Sequence, residues 1–235
     1  MSRHLDIWRV GRIGYGEAHA LQRQLVEARQ NEKIGDTLLL LEHPPTVTLG
    51  RGAKPENLLL SEADFAEAGI EVHEVGRGGD VTYHGPGQVV AYPIIDLNPD
   101  RMDVRKYVAS LEETMIRVCA DYEVAATRLD KFNGTWVEPQ GLRPRKIGAV
   151  GVRISRWVTM HGFALNVAPN MAHFQVIVPC GIQGKGVTSL GLECDEAPDM
   201  SEVTQRAGEH FAKVHDAEST WHDGRPSVLG SEDQD

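Results

Sequence analysis

Residues 77–88 read Arg77-Gly-Gly-Asp-Val-Thr-Tyr-His84-Gly-Pro-Gly-Gln88, and four glycines and a proline in twelve residues leave little propensity for helix or strand. The backbone there must adopt positive φ or let something approach closely. A glycine-rich hairpin turn meets that requirement, and so does a loop lining a binding site. A phosphate-binding loop fits poorly, because Gly76-Arg-Gly-Gly lacks the GxGxxG spacing and Gly181-Ile-Gln-Gly-Lys-Gly is not a GxxxxGK loop.

The flanking segments set the fold class. Residues 16–29 place Ala18, Leu21, Leu25 and Ala28 at helical steps, and residues 37–42 read as a buried strand that His43-Pro-Pro breaks. Thr46-Val-Thr-Leu predicts a second strand, Ser61 with Asp64 a capping box for a helix ending near Gly69, and the alternation of residues 70–75 a half-buried strand. Residues 89–97 form an apolar strand. Asp103 caps a helix with Val104, Tyr107, Val108, Leu111, Met115, Val118 and Tyr122 on one stripe. Residues 135–138, 146–154 and 158–167 predict further strands, the last two joined by Ser155-Arg-Trp, and a final helix begins near Ser201. This interspersion without strict βαβ repetition predicts an α+β fold, with a mixed, mostly antiparallel sheet flanked by helices. No repeat or linker divides the chain, so residues 1–222 are expected to form one domain and the acidic stretch 223–235 a disordered tail.

Lys and Arg number 24 against 34 Asp and Glu, and the resulting charge of −10 disfavours a nucleic-acid role, because phosphates are repelled except at a local basic patch. No apolar run approaches a membrane span and no apolar secretory segment opens the sequence, so a cytoplasmic location is expected. The histidines show no metal-ligand spacing, and the three cysteines form no CxxC pair, so neither a metal site nor a disulfide framework is expected. Cys119 lies beside Val118 in the amphipathic helix, where a buried thiol behaves as a small hydrophobe, and Cys194 lies between two carboxylates. Cys180, after Val176-Ile-Val-Pro at the end of a strand, is the thiol placed for reaction. A reactive thiol needs a partner that stabilises the thiolate, and His84, His161, Lys146 and Arg77 are the candidates. By position alone Lys146 is a solvated strand end, and His161 equally a core histidine.

Residues 77–92 resemble the signature of the lipoyl(octanoyl) transferases. Thr48-Leu-Gly-Arg51, Lys146-Ile-Gly-Ala-Val-Gly-Val-Arg153, His161-Gly-Phe-Ala-Leu-Asn166 and Pro179-Cys-Gly-Ile182 resemble further blocks of that family, in its order. The resemblance implies an octanoyltransferase without cofactor, moving an octanoyl group from octanoyl-acyl carrier protein to a lysine of lipoyl domains. The acceptors would be the E2 subunits of 2-oxoacid dehydrogenases and the glycine cleavage H protein. Cys180 would be the acyl-thioester nucleophile, and Lys146 the group that lowers its pKa and moves protons. The implied substrate pocket comprises Arg77, Gly78, Gly79, Asp80, Val81, Thr82, Tyr83 and His84, with Ala149, Val150, Gly151, Gly162, Phe163 and Ala164. The implied fold is that of the catalytic domain of biotin and lipoate protein ligases. Gly78, Gly79 and Gly148 are candidates for an oxyanion hole. Arg143, Arg145, Lys146, Arg153 and Arg156 are a candidate patch for an acidic carrier protein. An ATP-dependent lipoate or biotin ligase and a non-catalytic acyl-carrier or lipoyl-domain binder are the competing readings.

Overall fold

The computed structural model describes residues 3–178 and 185–227. Its larger sheet runs in the order β12-β1-β2-β6-β10-β9-β8-β7. These strands are β1 (Arg3–Arg12), β2 (Asp36–Glu42), β6 (Gln88–Ile94), β7 (Ala126–Leu129), β8 (Phe132–Val137), β9 (Arg145–Ser155), β10 (Val158–Asn166) and β12 (Ala217–Asp223). A short β11 (Gly186–Val187) adds to β9. The pairs from β2 through to β7 are antiparallel, whereas β12 with β1, β1 with β2 and β11 with β9 are parallel. A second sheet, in the order β4-β3-β5, joins β3 (Thr46–Leu49), β4 (Glu71–Glu74) and β5 (Val81–His84). The expected α+β class with a mixed, mostly antiparallel sheet is the one found.

Helices cover both faces of the larger sheet. α1 (Tyr15–Gln30) buries Ala18, Leu25 and Ala28, and packs with Leu39, Val90, Tyr92 and Ala164 on one face. α3 (Val104–Asp121) and α5 (Met200–Val214) pack on the other face, where Leu111, Met115, Val118, Val203 and Phe211 meet Ile147, Phe163 and Leu165. Asp103 caps α3 as expected, accepting from the backbone N–H groups of Arg105 and Lys106; Asp199 does the same for α5, two residues before the expected start. α2 (Glu62–Glu67) carries the predicted Ser61–Asp64 capping box, and α4 (Leu190–Glu193) is a single turn. Among the described residues no helix is long and apolar enough to cross a membrane.

Four readings change. The glycine-dense segment is partly strand: Val81 and Tyr83 are buried on one side of β5, and that alternation outweighs the surrounding glycines. Of residues 70–75, Glu71–Glu74 form an edge strand whose Val72 is exposed, and the preceding Ile70 is the buried one. β12, thin in apolar residues, and β1, whose short Leu5-Asp-Ile7 alternation is buried in the core, are strands that the expectation lacked. Asp223, expected to open a disordered tail, instead ends β12 and pairs with Arg9 at 2.7 Å, and residues 228–235 lie outside the described residues.

Gly162 occupies a point where a Cβ would stand 2.3 Å from the Ala91 carbonyl oxygen and 2.5 Å from Pro93 Cδ, both parts of a fixed backbone and ring. Gly162→Ala is therefore expected to cost about 1–3 kcal/mol, read as a fall of several degrees in Tm, because neither neighbour can retreat. Gly16→Ala, on open helix surface, is the control and should be neutral or stabilising. Equal Tm values for the two variants would contradict this account.

Two histidines are folded away from the cleft described below or beneath it. His43 donates from Nδ1 to the Ile13 carbonyl and accepts from the Tyr92 hydroxyl, and His215 stacks on Phe211 at 4.2 Å beside Ser110. Burial lowers His43 to about 4 and His215 to about 3. Both rings bind a proton more readily when unfolded. Their stabilisation is thus complete above the ordinary value of 6.5, and is lost as pH falls from there towards 4 and 3. Unfolding free energy should fall from pH 6.5 to 5 by about 1.4 kcal/mol per pH unit for each ring, before most carboxylates titrate. Denaturant titrations across that range test this, and a flat profile would contradict it.

Candidate active site

The floor of a cleft lies where β9 pairs with β10. Gly151 stands opposite Gly162 and Ala149 opposite Ala164, so two rows of small residues floor the cleft on the face that α1 partly covers, and Arg77 and Gly78 pack directly over Gly151, where a Cβ would stand 2.9 Å from Arg77 Cδ and 3.2 Å from the Gly78 oxygen. The wall opposite is the 77–84 segment. Arg77 donates to the Thr48 carbonyl at 2.8 Å and to its hydroxyl at 2.9 Å, and Gly78 donates its backbone N–H to Val152 at 2.9 Å. On the outer side Gly50, Arg51 and Gly52 donate to the carbonyls of Asp80, Arg77 and Gly79 at 3.0–3.2 Å. A Cβ on Gly50 would lie 2.3 Å from the Gly79 oxygen, so the Thr48–Arg51 block needs glycine there for close approach.

Twelve of the fourteen expected pocket residues line this one cleft; Gly78 and Tyr83 do not. Gly78 is engaged with Val152. Tyr83 points to the other side of β5, where it packs edge-on against Phe174 at 5.1 Å and bonds to His173. Tyr15, Tyr92 and His161 line the cleft as well and were not among the expected pocket residues. Tyr15 enters from the first turn of α1, which carries no sequence signal for a site.

His84 has a fixed tautomer. The Gln88 amide nitrogen donates to the Tyr83 carbonyl and to Asn166 Oδ1, so Gln88 Oε1 is an acceptor and His84 Nδ1, 2.7 Å away, must donate. Nε2 is left as the acceptor nitrogen of a ring that lines the cleft. Burial lowers His84 to about 3, with His43 adding to the effect, so it is neutral at physiological pH and a weak base.

Lys146 is not a solvated strand end. It is 7% exposed, and its ammonium sits 4.8 Å from the centre of the Trp136 ring. An irregularity in β9 sets its direction: Thr135 pairs with Gly148 but Trp136 with Lys146, so one residue is extra on the β9 side. Thr135 and Val137 face α3, so Trp136 between them faces the opposite side, and Lys146 with it. The bulge puts Lys146 on the face that carries Ala149 and Gly151. Beside it, Val187 pairs in β11 and Thr188 donates to the Lys146 carbonyl at 2.9 Å.

Cys180 lies outside the described residues. Of the other thiols, burial pushes Cys119 up to about 12, and burial followed by Asp195 and Glu193 raises Cys194, so both are poor thiolates. The oxyanion candidates change too. The Gly78 N–H is already bonded, and Gly148 faces α3, where a Cβ would meet Met115 Sδ at 2.4 Å; Gly79 alone of the three lines the cleft. Nor do the five cations cluster. Arg145 and Arg156 stand at opposite ends of β9, roughly 35 Å apart at about 3.3 Å per residue, Arg145 pairs with Glu193 and Glu138, and Lys146 is buried. Among the described residues no group of His, Cys, Asp and Glu could hold a metal ion.

Comparison with known proteins gives this geometry a family. Residues 14–212 match the lipoyl protein ligase A/B catalytic domain. The chain is 48% identical over 235 residues to an octanoyltransferase of Acidobacterium capsulatum, covering 96% of each sequence. It is 49% identical over 215 residues to an octanoyltransferase of Myxococcus xanthus, covering 91% of this chain and 60% of that longer protein. In fold it is similar to the bi-partite lipoate protein ligase of Thermoplasma acidophilum, with a TM-score of 0.69 at 13% identity over 94% of this chain and 86% of that one. The protein belongs to the lipoyl protein ligase A/B catalytic domain family.

Proposed function

We propose that this protein is an octanoyltransferase of protein lipoylation, which moves an octanoyl group from octanoyl-acyl carrier protein to a lysine of lipoyl domains through a thioester on Cys180. The acceptors are the lipoyl domains of 2-oxoacid dehydrogenase E2 subunits and the glycine cleavage H protein, met in the cytoplasm. The observation that carries this reading is a buried lysine on the same sheet face as a cleft floored by small residues, in a chain whose relatives at 43–49% identity are octanoyltransferases.

In the first step the Cys180 thiolate attacks the carrier thioester, the carbon–sulfur bond to the carrier breaks, and the released carrier thiolate takes up a proton. In the second, the acceptor amine attacks the enzyme thioester, an amide forms, and Cys180 leaves as thiolate while the amine loses a proton. Thioester becomes amide, so no ATP is consumed. Lys146 is the group proposed to take the thiol proton and later that of the incoming amine. Neutral His84 offers a lone pair to a donor in the cleft. Burying about six methylenes at ~0.8 kcal/mol each gives the octanoyl chain on the order of 5 kcal/mol of binding.

Incubation with octanoyl-acyl carrier protein, followed by intact-mass measurement, should reveal a hydroxylamine-sensitive octanoyl adduct. Cys119→Ala and Cys194→Ala should keep it and Cys180→Ala should lose it. An adduct that survives in Cys180→Ala would overturn the assignment of the nucleophile.

Arginine keeps the charge of Lys146 but cannot release a proton at working pH. Lys146→Arg is therefore expected to lower transfer by about 10²–10⁴-fold. Because Lys146 is packed on Trp136, each variant should first be checked for its Tm. Near wild-type turnover in folded Lys146→Arg would reduce the lysine to an electrostatic role.

A further inference from the structure

β10 departs from strand geometry at one residue. His161 has φ +58°, a conformation that disfavours any side chain. Its backbone N–H is taken by Gln22 Oε1 of α1 at 2.9 Å, and its ring is turned into the cleft. There it stacks near-parallel on His19 at 5.7 Å and edge-on to Tyr92 at 6.2 Å. The ring gains little for the fold: His161 Nε2 and Gln22 Nε2 are both enclosed, and neither finds a hydrogen-bond partner among the described residues.

What the conformation achieves is placement. The cleft floor begins at the Ala149–Ala164 row; at the next row Arg77 and Gly78 lie over Gly151, where a Cβ would stand 2.9 Å from Arg77 Cδ, so the lining that continues is on the β10 side, past Gly162. His161 follows immediately, and its ring is the first bulky group of β10 that a straight chain laid on that floor would meet. We propose that His161 is the end wall of the acyl slot and sets the longest chain the enzyme accepts. The inference rests on the octanoyl transfer proposed above, and it makes His161 a specificity-determining residue rather than a catalytic one.

His161→Gly tests it, because glycine suits φ +58° and removes the ring. His161→Asn, which also tolerates that region and is smaller, serves if the glycine variant folds poorly. His161→Phe keeps the bulk without the nitrogens. Transfer from eight-, ten- and twelve-carbon acyl carriers is measured for all four proteins. The ratio of ten- to eight-carbon kcat/KM is expected to rise about tenfold or more in His161→Gly, to rise less in His161→Asn, and to stay at the wild-type value in His161→Phe. An unchanged ratio in active Gly or Asn variants would overturn the end-wall role. So would an equal loss at every chain length, which would assign the imidazole to the chemistry. Failure of the wild-type protein to transfer any acyl group would instead strike the functional reading beneath it.

Discussion

One extra residue in β9 decides which side of the sheet carries Lys146. With an unbroken ladder Lys146 would share a face with Gly148 and point at α3, among Met115 and Leu111. The bulge opposite Thr135 and Trp136 turns it over. Trp136, wholly buried, then holds the ammonium by its ring face, and β11 closes over the edge. The placement of the lysine relative to the cleft follows from that inserted residue, and so does the lysine's burial.

Much of this was legible in the chain itself, for physical reasons that can be named. α3 and α5 carry apolar stripes and side-chain caps, and the β9–β10 hairpin carries alternating apolar residues on either side of Ser155-Arg-Trp. The blocks around Arg77, Ala149 and Gly162 converge because small residues permit close approach, and that demand is visible as glycine. Where the reading went wrong, the cause was tertiary. β12 is a mostly polar edge strand held by backbone pairing to β1, and the alternation of β1 is confined to Leu5-Asp-Ile7, too short to stand out. A lysine opening a strand looks solvated until a neighbouring strand supplies a tryptophan. His161 gave no sign of its left-handed backbone, because a glutamine 139 residues earlier holds its N–H.

The cleft's electrostatics are those of burial rather than of charge pairing. His43, His84 and His161 all lose basicity mainly through desolvation, and they surround the cleft or its floor as neutral rings. The charged side chains that line the cleft are Arg77, whose guanidinium is tied to Thr48, and Asp80, which accepts from the Asn57 amide at 2.6 Å. That environment suits an apolar chain with one polar end.

The wall of the cleft is fastened on two sides at once. Residues 77–80 are bonded outward to the 50–52 loop and inward to Val152 of β9, and Arg77 clamps Thr48 of β3. The bonds to the 50–52 loop and to Thr48 hold within the smaller sheet and its flanks, and of these contacts the Gly78 N–H to Val152 is the one that ties the wall to the larger sheet. The shape of the wall is therefore set within the smaller sheet, independently of the floor it faces.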